Sequence, residues 1–436
     1  MFSDTNILDS EPDFSVEENS APAKIKIIGV GGGGSNAVNN MFQQKIDGVS
    51  FVVLNTDNQA LKKSPVPKKL LIGPETTHGL GAGNKPEVAR AAAEESSNEI
   101  AGLFDPQTEM VFITAGMGGG TGTGAAPVVA RIAKEKGVLT VGIVTIPFLF
   151  EGERKILKAL QGAEEMKQYV DALMIINNER LTEIYEDLSF VNAMCKADDT
   201  LTTAARSISE MITTEGYINI DMRDVDTTLR DSGVAVISSG FGEGEHRVTK
   251  AIADALRSPL LKNRDVYRAT RILLNLYFSP EEKEQAFSIS EIDEVRQFMA
   301  NFDSSVDVIW GAAFDNSLGA TVKVTILAAG FETALSEETL PNKKNSGRKE
   351  PDVEAGKKAI EEAYGSDKVA ETTQILTKSK YMVLKPEEMD DDNVIAAFAK
   401  PTFKRDPKTR HTQIVEDSPK PAGEEHGKGS GMKIMF

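Results

Sequence analysis

Two glycine-rich segments, each placed directly after a short β-branched apolar run, constrain the fold of this chain more than any other feature. KIKIIGV leads into the first at residues 29–38 (GVGGGGSNAV), and MVFITAG leads into the second at residues 117–127 (MGGGTGTGAAP). From Lys24 onward such runs alternate with helical segments, which predicts an α/β fold with a parallel sheet covered on both faces. Because the carboxyl ends of parallel strands share one edge, the two loops are expected to face each other across a crevice.

A glycine-rich loop that opens a helix brings backbone N–H groups close to a phosphate, and the helix dipole favours the anion. The first loop alone leaves three interpretations open: polyphosphate binding, a Rossmann dinucleotide domain, or a tight turn without a ligand. The second loop favours one polyphosphate held between the two, with threonine hydroxyls as further donors. The candidate nucleotide-binding residues of the loops are Gly32, Gly33, Gly34, Asn36, Gly118, Gly119, Gly120, Thr121, Gly122 and Thr123.

Neither loop matches the pattern G-x-x-x-x-G-K-[ST], so the lysine that neutralises the β- and γ-phosphates in P-loop enzymes is missing. Backbone amides, two helix dipoles and a Mg²⁺ ion remain as means of balancing the phosphate charge. Magnesium commonly binds substrate phosphates and water with few protein ligands. We therefore predict Mg²⁺ as a cofactor without assigning it a protein ligand.

Composition excludes several classes of function. A net charge of −17 argues against sequence-independent binding to nucleic acid, whose phosphates require a basic surface. Cys195 is the single cysteine, so disulfides within the chain are excluded, and four scattered histidines offer no zinc-ligand spacing. The most apolar run, residues 138–150, is too short for a spanning helix and contains Pro147, which predicts no direct membrane insertion.

The pattern changes twice along the chain. A helical stretch without proline or glycine, from about residue 189 to 213, precedes a part with more strands and fewer helices. After about residue 331 the sequence is charged and poor in aromatic residues, which predicts disorder. The predicted segments are a disordered acidic arm without a secretory signal (1–23), a nucleotide-binding domain (24–188), a central helix and its following loop (189–224), an α+β domain (225–331), a disordered linker (332–388), a partner-docking peptide (389–410) and a disordered tail (411–436).

Six motifs in this order, GVGGGGSNAV, NTDNQAL, GLGAGNKPE, AGMGGGTGTGAAP, PFLFEG and NIDMRDV, resemble the FtsZ family, the bacterial tubulin homologues of the division ring. The resemblance extends over residues 24–331, and GGGTGTG is its most diagnostic part. It implies a tubulin-like GTPase domain with a parallel, Rossmann-like sheet, joined by a long central helix to a smaller α+β domain. It also implies a self-polymerising GTPase of septum formation that uses GTP, GDP and Mg²⁺.

The same resemblance implies which residues contact the base, sugar and phosphates. Asp198 and Asn178 match the residues that hold guanine, and a carboxylate can accept from both the ring N–H and the amino group of guanine, whereas adenine presents an acceptor there. Glu151 matches a ribose contact. Lys155 stands where the family usually has an arginine, and Arg154 is the alternative phosphate contact.

Two further loops are implied to lie beside the γ-phosphate. Asp57, in NTDNQAL, matches the loop that adjoins the γ-phosphate and magnesium, although an isolated NTD after a strand is usually only a turn. Gly81, Ala82 and Gly83 match the flexible loop that senses whether that phosphate is present.

The catalytic acids implied by the resemblance follow the long helix. Asn219, Asp221 and Asp224 have the family pattern N-x-D-x-x-D. If some twenty helical residues, at about 1.5 Å each, separate this loop from the glycine loops, the loop cannot reach the nucleotide of its own subunit. A neighbouring subunit in a head-to-tail filament would then supply the acids in trans. The alternative is that the two acids simply cap the next helix.

The implied partners are the chain itself and, through the peptide at 389–410, an actin-like membrane tether and other division regulators. The implied location is cytoplasmic, at mid-cell beneath the inner membrane. The acidic, apolar and basic order of EEMDDDNVIAAFAKPTFKR fits such a peptide, but the family pattern D-I-P-x-F-L is missing. Two alternative functions are a Rossmann oxidoreductase, which leaves GGGTGTG unused, and a related filament protein of DNA segregation or cell shape.

Overall fold

The computed structural model describes residues 23–46, 48–182, 190–258, 266–280, 287–331, 353–370, 381–382 and 434–435. The chain divides into two compact units, residues 1–366 and 367–436. The predicted docking peptide at 389–410 and nearly all of the predicted acidic arm lie outside the described residues.

The first unit contains one continuous sheet in the described part of the chain. Its strands are β1 (Ile25–Val30), β2 (Val49–Asn55), β3 (Lys68–Leu71), β4 (Met110–Gly116), β5 (Leu139–Ile146), β6 (Ala172–Asn177), β7 (Gly216–Ile218), β8 (Gly233–Gly242), β9 (Arg271–Phe278), β10 (Asp307–Phe314) and β11 (Val322–Phe331).

The order across the sheet is β3-β2-β1-β4-β5-β6-β8-β11-β9-β10-β7. The half from β3 to β6 is entirely parallel, as the alternation of strands and helices predicts. The second half is mixed, because β11 runs antiparallel to both β8 and β9. Among the described residues, the strand pairing that joins the halves consists of two residue pairs, Ala172 with Gly233 and Leu173 with Val234. The two predicted domains therefore share a sheet through a short parallel contact.

The helices of the first unit are α1 (Gly31–Gln43), α2 (Asn58–Lys63), α3 (Pro74–Thr77), α4 (Pro86–Glu95), α5 (Ser97–Ala101), α6 (Thr121–Glu135), α7 (Glu153–Lys167), α8 (Asn178–Thr182), α9 (Phe190–Thr213), α10 (Met222–Leu229), α11 (Arg247–Leu256), α12 (Ile289–Met299) and α13 (Val353–Tyr364). The helix α9 confirms the predicted long central helix.

Successive side chains of a strand point to opposite faces of the sheet, as the two-residue period of a strand requires. Val141 and Ile143 of β5 belong to the core that also contains Met41 of α1 and Ala204 of α9. Between them Gly142 faces the other side, where a Cβ would lie 2.9 Å from Met166 of α7. Helices therefore cover both faces, and the α/β prediction is confirmed.

The structure departs from the sequence-based expectation in two terminal segments. The helix α13 lies inside residues 332–388, which the charged composition predicted to be disordered. Its apolar positions recur on one face, and Ala359 and Ile360 are buried, so a short amphipathic face gains enough buried area to order. In the second unit, β12 (Tyr381–Met382) pairs antiparallel with β13 (Ile434–Met435), inside the segments predicted as linker and tail. The described helices include no candidate for a membrane span.

Candidate nucleotide site

The two glycine loops meet at the carboxyl ends of β1 and β4. A Cβ on Gly31 would lie 2.7 Å from the backbone nitrogen of Gly122, and the φ of +73° at Gly31 favours glycine on its own account. A Cβ on Gly33 would lie 3.1 Å from the Cα of Gly116. Only glycines allow the two backbones to approach this closely. The predicted opposition of the loops is therefore present in the fold.

The glycines of the loops divide into open and packed positions. A Cβ built on Gly32 or Gly119 meets no atom within 4 Å, so their backbones border open space that a phosphate can enter. Gly34 is buried instead, and its Cβ would lie 2.2 Å from the carbonyl oxygen of Thr114 on β4. Gly34, expected among the nucleotide-binding residues, thus allows α1 to pack against the strand.

Two threonines fix the second loop. The hydroxyl of Thr123 is buried and accepts a hydrogen bond from the backbone N–H of Gly118 at 2.9 Å. The hydroxyl of Thr121 lies 2.8 Å from that of Thr56, which follows β2. Thr123 therefore shapes the loop from within. Thr56 is a site residue that the sequence analysis missed, although it stands in the NTD motif beside Asp57.

The loop at residues 79–83 lies against the same edge of the sheet. The backbone N–H of Gly81 donates to the carbonyl oxygen of Thr56 at 3.0 Å. A Cβ on Gly120 would lie 3.1 Å from the Cβ of Ala82. Asp57 caps α2, because its Oδ1 accepts from the N–H groups of Gln59 and Ala60 at 2.8 and 3.2 Å. The segments predicted to surround the γ-phosphate are thus brought together.

The loop that follows β5 carries Glu151 and Lys155. Their side chains form an ion pair, and Glu151 Oε1 also accepts from the backbone N–H of Phe148 at 2.9 Å. Lys155 reaches the second glycine loop, since a Cβ on Gly118 would lie 2.9 Å from its Cγ. Arg154 is exposed on α7. Of the two cations, Lys155 is the one in contact with the glycine loop.

The residue that follows β6 and a residue of α9 each carry a hydrogen-bond acceptor that the family resemblance assigns to the base. Asn178, at the carboxyl end of β6, is buried, and its Oδ1 accepts no hydrogen bond from any described residue. Burial, together with the neighbouring carboxylate of Asp199, raises the pKa of Asp198 on α9 to about 6. A buried acceptor without a donor, such as Asn178 Oδ1, costs about 1 to 3 kcal/mol, so a ligand that supplies an N–H donor would be bound favourably here.

The three predicted catalytic residues lie at the opposite edge of the sheet. Asp221 and Asp224 cap α10, and Asn219 Oδ1 accepts from the backbone N–H of Gly216 at 2.8 Å. At the far end of α10, Arg230 contacts Asp171, which precedes the amino end of β6, at 3.3 Å. The structure does not bring these acids to the glycine loops of the same subunit. They also serve as caps, as the alternative interpretation stated.

Comparisons with known proteins agree with this geometry. Residues 24–186 match the Tubulin/FtsZ family, GTPase domain, and residues 233–332 match the FtsZ family, C-terminal domain. The cell division protein FtsZ of Porphyromonas gingivalis is 48% identical over 404 residues, which is 90% of this chain and 87% of the relative. The chain belongs to the FtsZ family. A relative in Aquifex aeolicus is 42% identical over 72% of this chain and 85% of its own length.

Solved structures give the same result. An FtsZ dimer of M. jannaschii superposes with a TM-score of 0.64 at 39% identity, covering 71% of this chain and 89% of its own. A GDP-bound CetZ monomer of Haloferax volcanii has a TM-score of 0.62 at 23% identity over 77% and 98%, which shows a shared fold only. The tubulin-like GTPase domain is confirmed, and a Rossmann oxidoreductase is excluded by the FtsZ-family membership.

Proposed function

We propose that this GTPase of the FtsZ family, which polymerises in cell division, hydrolyses GTP in a site that two subunits complete. One subunit binds the nucleotide between its glycine loops. The next subunit in a head-to-tail filament supplies Asp221 and Asp224 to the γ-phosphate, with Asn219 orienting their loop. The observation that carries the proposal is the position of these acids at the sheet edge opposite the glycine loops.

The base pocket supports selectivity for guanine. Asn178 Oδ1 accepts no hydrogen bond from a described residue, Asp198 offers a half-buried carboxylate, and guanine presents a ring N–H and an amino group. Adenine presents an acceptor at the ring position, so its binding would leave a carboxylate facing a lone pair. Glu151 contacts the ribose in this arrangement, and Lys155 contacts a phosphate after its ion pair with Glu151 opens.

The phosphates are bound mainly by backbone donors. The amides around Gly32 and Gly119 border the open space, and the positive end of the α6 dipole favours the anion there. Mg²⁺, held by phosphate oxygens and water, neutralises the remaining charge when bound. Asp57 would be a carboxylate available to the ion, because the two cap bonds engage only Oδ1 and leave Oδ2 unused among the described contacts.

The acids retain the chemistry that a trans role needs. The cap bonds engage Oδ1 of Asp221 and Oδ2 of Asp224, so the second oxygen of each carboxylate makes no described hydrogen bond. Asp221 is exposed and Asp224 half-buried. Such carboxylates can accept a proton from water or orient it for in-line attack on the γ-phosphate.

A complementation experiment tests the shared site. Asp198→Ala subunits lack the base contact, and Asp224→Asn subunits lack one acid, so each variant alone should turn over GTP slowly. Mixed in equal amounts, an Asp198→Ala subunit can present its intact acid loop to GTP held by an Asp224→Asn subunit, and turnover should recover. Glu245→Gln, an exposed site on another loop, serves as the matched control for the acid substitution. A mixture no more active than the sum of its parts contradicts the proposal.

We further propose that residues 389–410 dock to an actin-like membrane tether and to other division regulators, which places the filament at mid-cell beneath the inner membrane. The charge order of this segment supports docking to a protein groove. Deletion of residues 390–405 should preserve GTP turnover and filaments and abolish recruitment to the membrane in cells. Unchanged recruitment would exclude a docking role for this segment.

A further inference from the structure

The helix α13 is seated on the GTPase domain by a regular apolar face. Gly356, Ala359, Ile360 and Tyr364 are buried, and these positions recur at the three- and four-residue spacing of one helix face. Gly356 allows the close approach to α7, because a Cβ there would lie 3.3 Å from Leu157 Cδ1. The opposite face is exposed and consists of Lys357, Lys358, Glu361 and Glu362.

The last turn of α13 is fastened by two specific hydrogen bonds. Tyr364 is fully buried, and its hydroxyl donates to the carbonyl oxygen of Pro147 at 2.5 Å. Asn177 Nδ2 donates to the carbonyl oxygen of Ala363 at 3.1 Å. The helix ends at Tyr364 and is followed by Gly365, whose φ of +92° is the left-handed conformation of a glycine cap. Pro147 and Asn177 lie at the carboxyl ends of β5 and β6.

These two anchor points belong to the segments that carry nucleotide residues. Pro147 opens the loop that contains Glu151, and Asn177 precedes Asn178 directly. The segments are tied to each other as well, because Glu179 Oε2 accepts from the backbone N–H of Leu149 at 2.9 Å. Burial, and then the charges of Glu179 and Glu151, raise the pKa of Tyr364 far above its usual range, so its hydroxyl remains a donor.

We propose that α13 is a strap whose docking is coupled to nucleotide binding. In the docked state the strap holds both the ribose loop and the turn before Asn178. Nucleotide binding needs the same two segments ordered, so each event lowers the entropic cost of the other. In the sequence the predicted docking peptide at 389–410 follows the strap. A partner bound to that peptide would therefore affect the nucleotide site by changing how strongly the strap is docked. The inference rests on the nucleotide site of the proposed function.

Hydrogen exchange in the full-length protein tests the coupling from the nucleotide side. The protein is kept dilute and supplied with GDP, so that neither assembly nor hydrolysis contributes to the result. Amides of residues 353–364 should exchange slowly without nucleotide and more slowly when GDP is added. Equal exchange with and without GDP, or exchange as fast as in an unfolded peptide, would overturn the proposal.

Three full-length variants test the coupling from the strap side. Ile360→Asp buries a charge under the helix and should release the strap, which should weaken GDP binding about fivefold or more. Tyr364→Phe removes only the hydroxyl and should give a smaller loss in the same direction. Glu362→Gln, on the exposed face, should change neither exchange nor affinity.

The outcomes separate this inference from the proposed function. A released strap in Ile360→Asp with GDP affinity unchanged overturns the coupling alone and leaves the GTPase proposal intact. A wild-type chain that binds no GDP overturns both. A loss of GDP affinity in Ile360→Asp, with circular dichroism and the thermal transition of the GTPase domain retained, supports the strap.

Discussion

The carboxylates of Asp221 and Asp224 each accept a hydrogen bond from the backbone N–H of the other. Asp221 N donates to Asp224 Oδ2 at 2.9 Å, and Asp224 N donates to Asp221 Oδ1 at 3.2 Å. This reciprocal cap starts α10 and holds both acids at a fixed spacing. The cap is therefore the device that presents the two acids to a neighbouring subunit.

The two roles of Asp224 can be separated by substitution. Asp224→Asn keeps an acceptor for the Asp221 N–H and should leave stability unchanged while lowering GTP turnover about a hundredfold or more. Asp224→Ala should lower turnover equally and also cost about 1 kcal/mol of unfolding free energy, because the cap is lost. GTP turnover at saturating protein and urea unfolding measure the two effects. Full turnover in Asp224→Asn would mean that Asp224 is only a cap.

Asp198 should make stability and nucleotide binding depend on pH in opposite directions. Its pKa, raised to about 6 from its ordinary value, favours the protonated folded state, so its contribution to stability is full below about pH 4 and is lost as the pH rises through 6. Asp198→Asn should therefore stabilise the nucleotide-free protein by about 1 to 2 kcal/mol at pH 7 and by nothing at pH 4.

The affinity for GDP should also depend on the protonation of Asp198. Guanine needs the carboxylate, so GDP affinity in the wild type should fall as the pH drops below 6, and Asp198→Asn should bind weakly at every pH. Thermal unfolding and GDP titration from about pH 4 to pH 8, on both sides of the Asp198 pKa of about 6, provide the measurements. A destabilised Asp198→Asn protein at pH 7 would contradict the assignment.

Gly32 and Gly34 should respond oppositely to the same added methyl group. A Cβ on Gly34 would lie 2.2 Å from a β4 carbonyl oxygen, so Gly34→Ala should cost about 2 kcal/mol or more of stability. Gly32 borders open space and has a negative φ, so Gly32→Ala should fold normally and lose affinity for GTP and GDP. Urea unfolding and nucleotide titration of both variants check the contrast. Normal nucleotide binding by Gly32→Ala would place the phosphates elsewhere.

Lys155 and Arg154 should differ in their effect on GTP binding. Lys155 contacts the glycine loop at Gly118, whereas Arg154 is exposed on α7. Lys155→Ala should weaken GTP binding by about 1.5 kcal/mol or more, the size of a hydrogen bond to a charged group. Arg154→Ala should be near neutral, and GTP titration of the two variants decides between them. The reverse ranking would assign the phosphate contact to Arg154.

Much of the fold could be predicted because it depends on local pattern. The strands before the glycine loops and the helix at residues 190–213 follow from apolar periodicity. The family resemblance assigned site residues to the base, the ribose, the phosphates and catalysis, but it did not separate glycine-loop residues that border open space from those that shape the loops. Gly34 and Thr123 turned out to support the loops, and Thr56 was missed, since hydrogen bonds across 65 residues leave no trace in local spacing.

The amino-acid sequence by itself determined the alternation of strands and helices, the two glycine loops and the order of the family motifs. These features depend on the backbone freedom of individual residues, such as glycine, and on the periodicity of apolar residues along the chain. Only the tertiary structure decided that α13 orders on α7, that Asn178 Oδ1 is buried without a donor among the described residues, and that Thr56 joins the second glycine loop. Each of these depends on which distant segments share a surface, because burial and desolvation are set by neighbours in space.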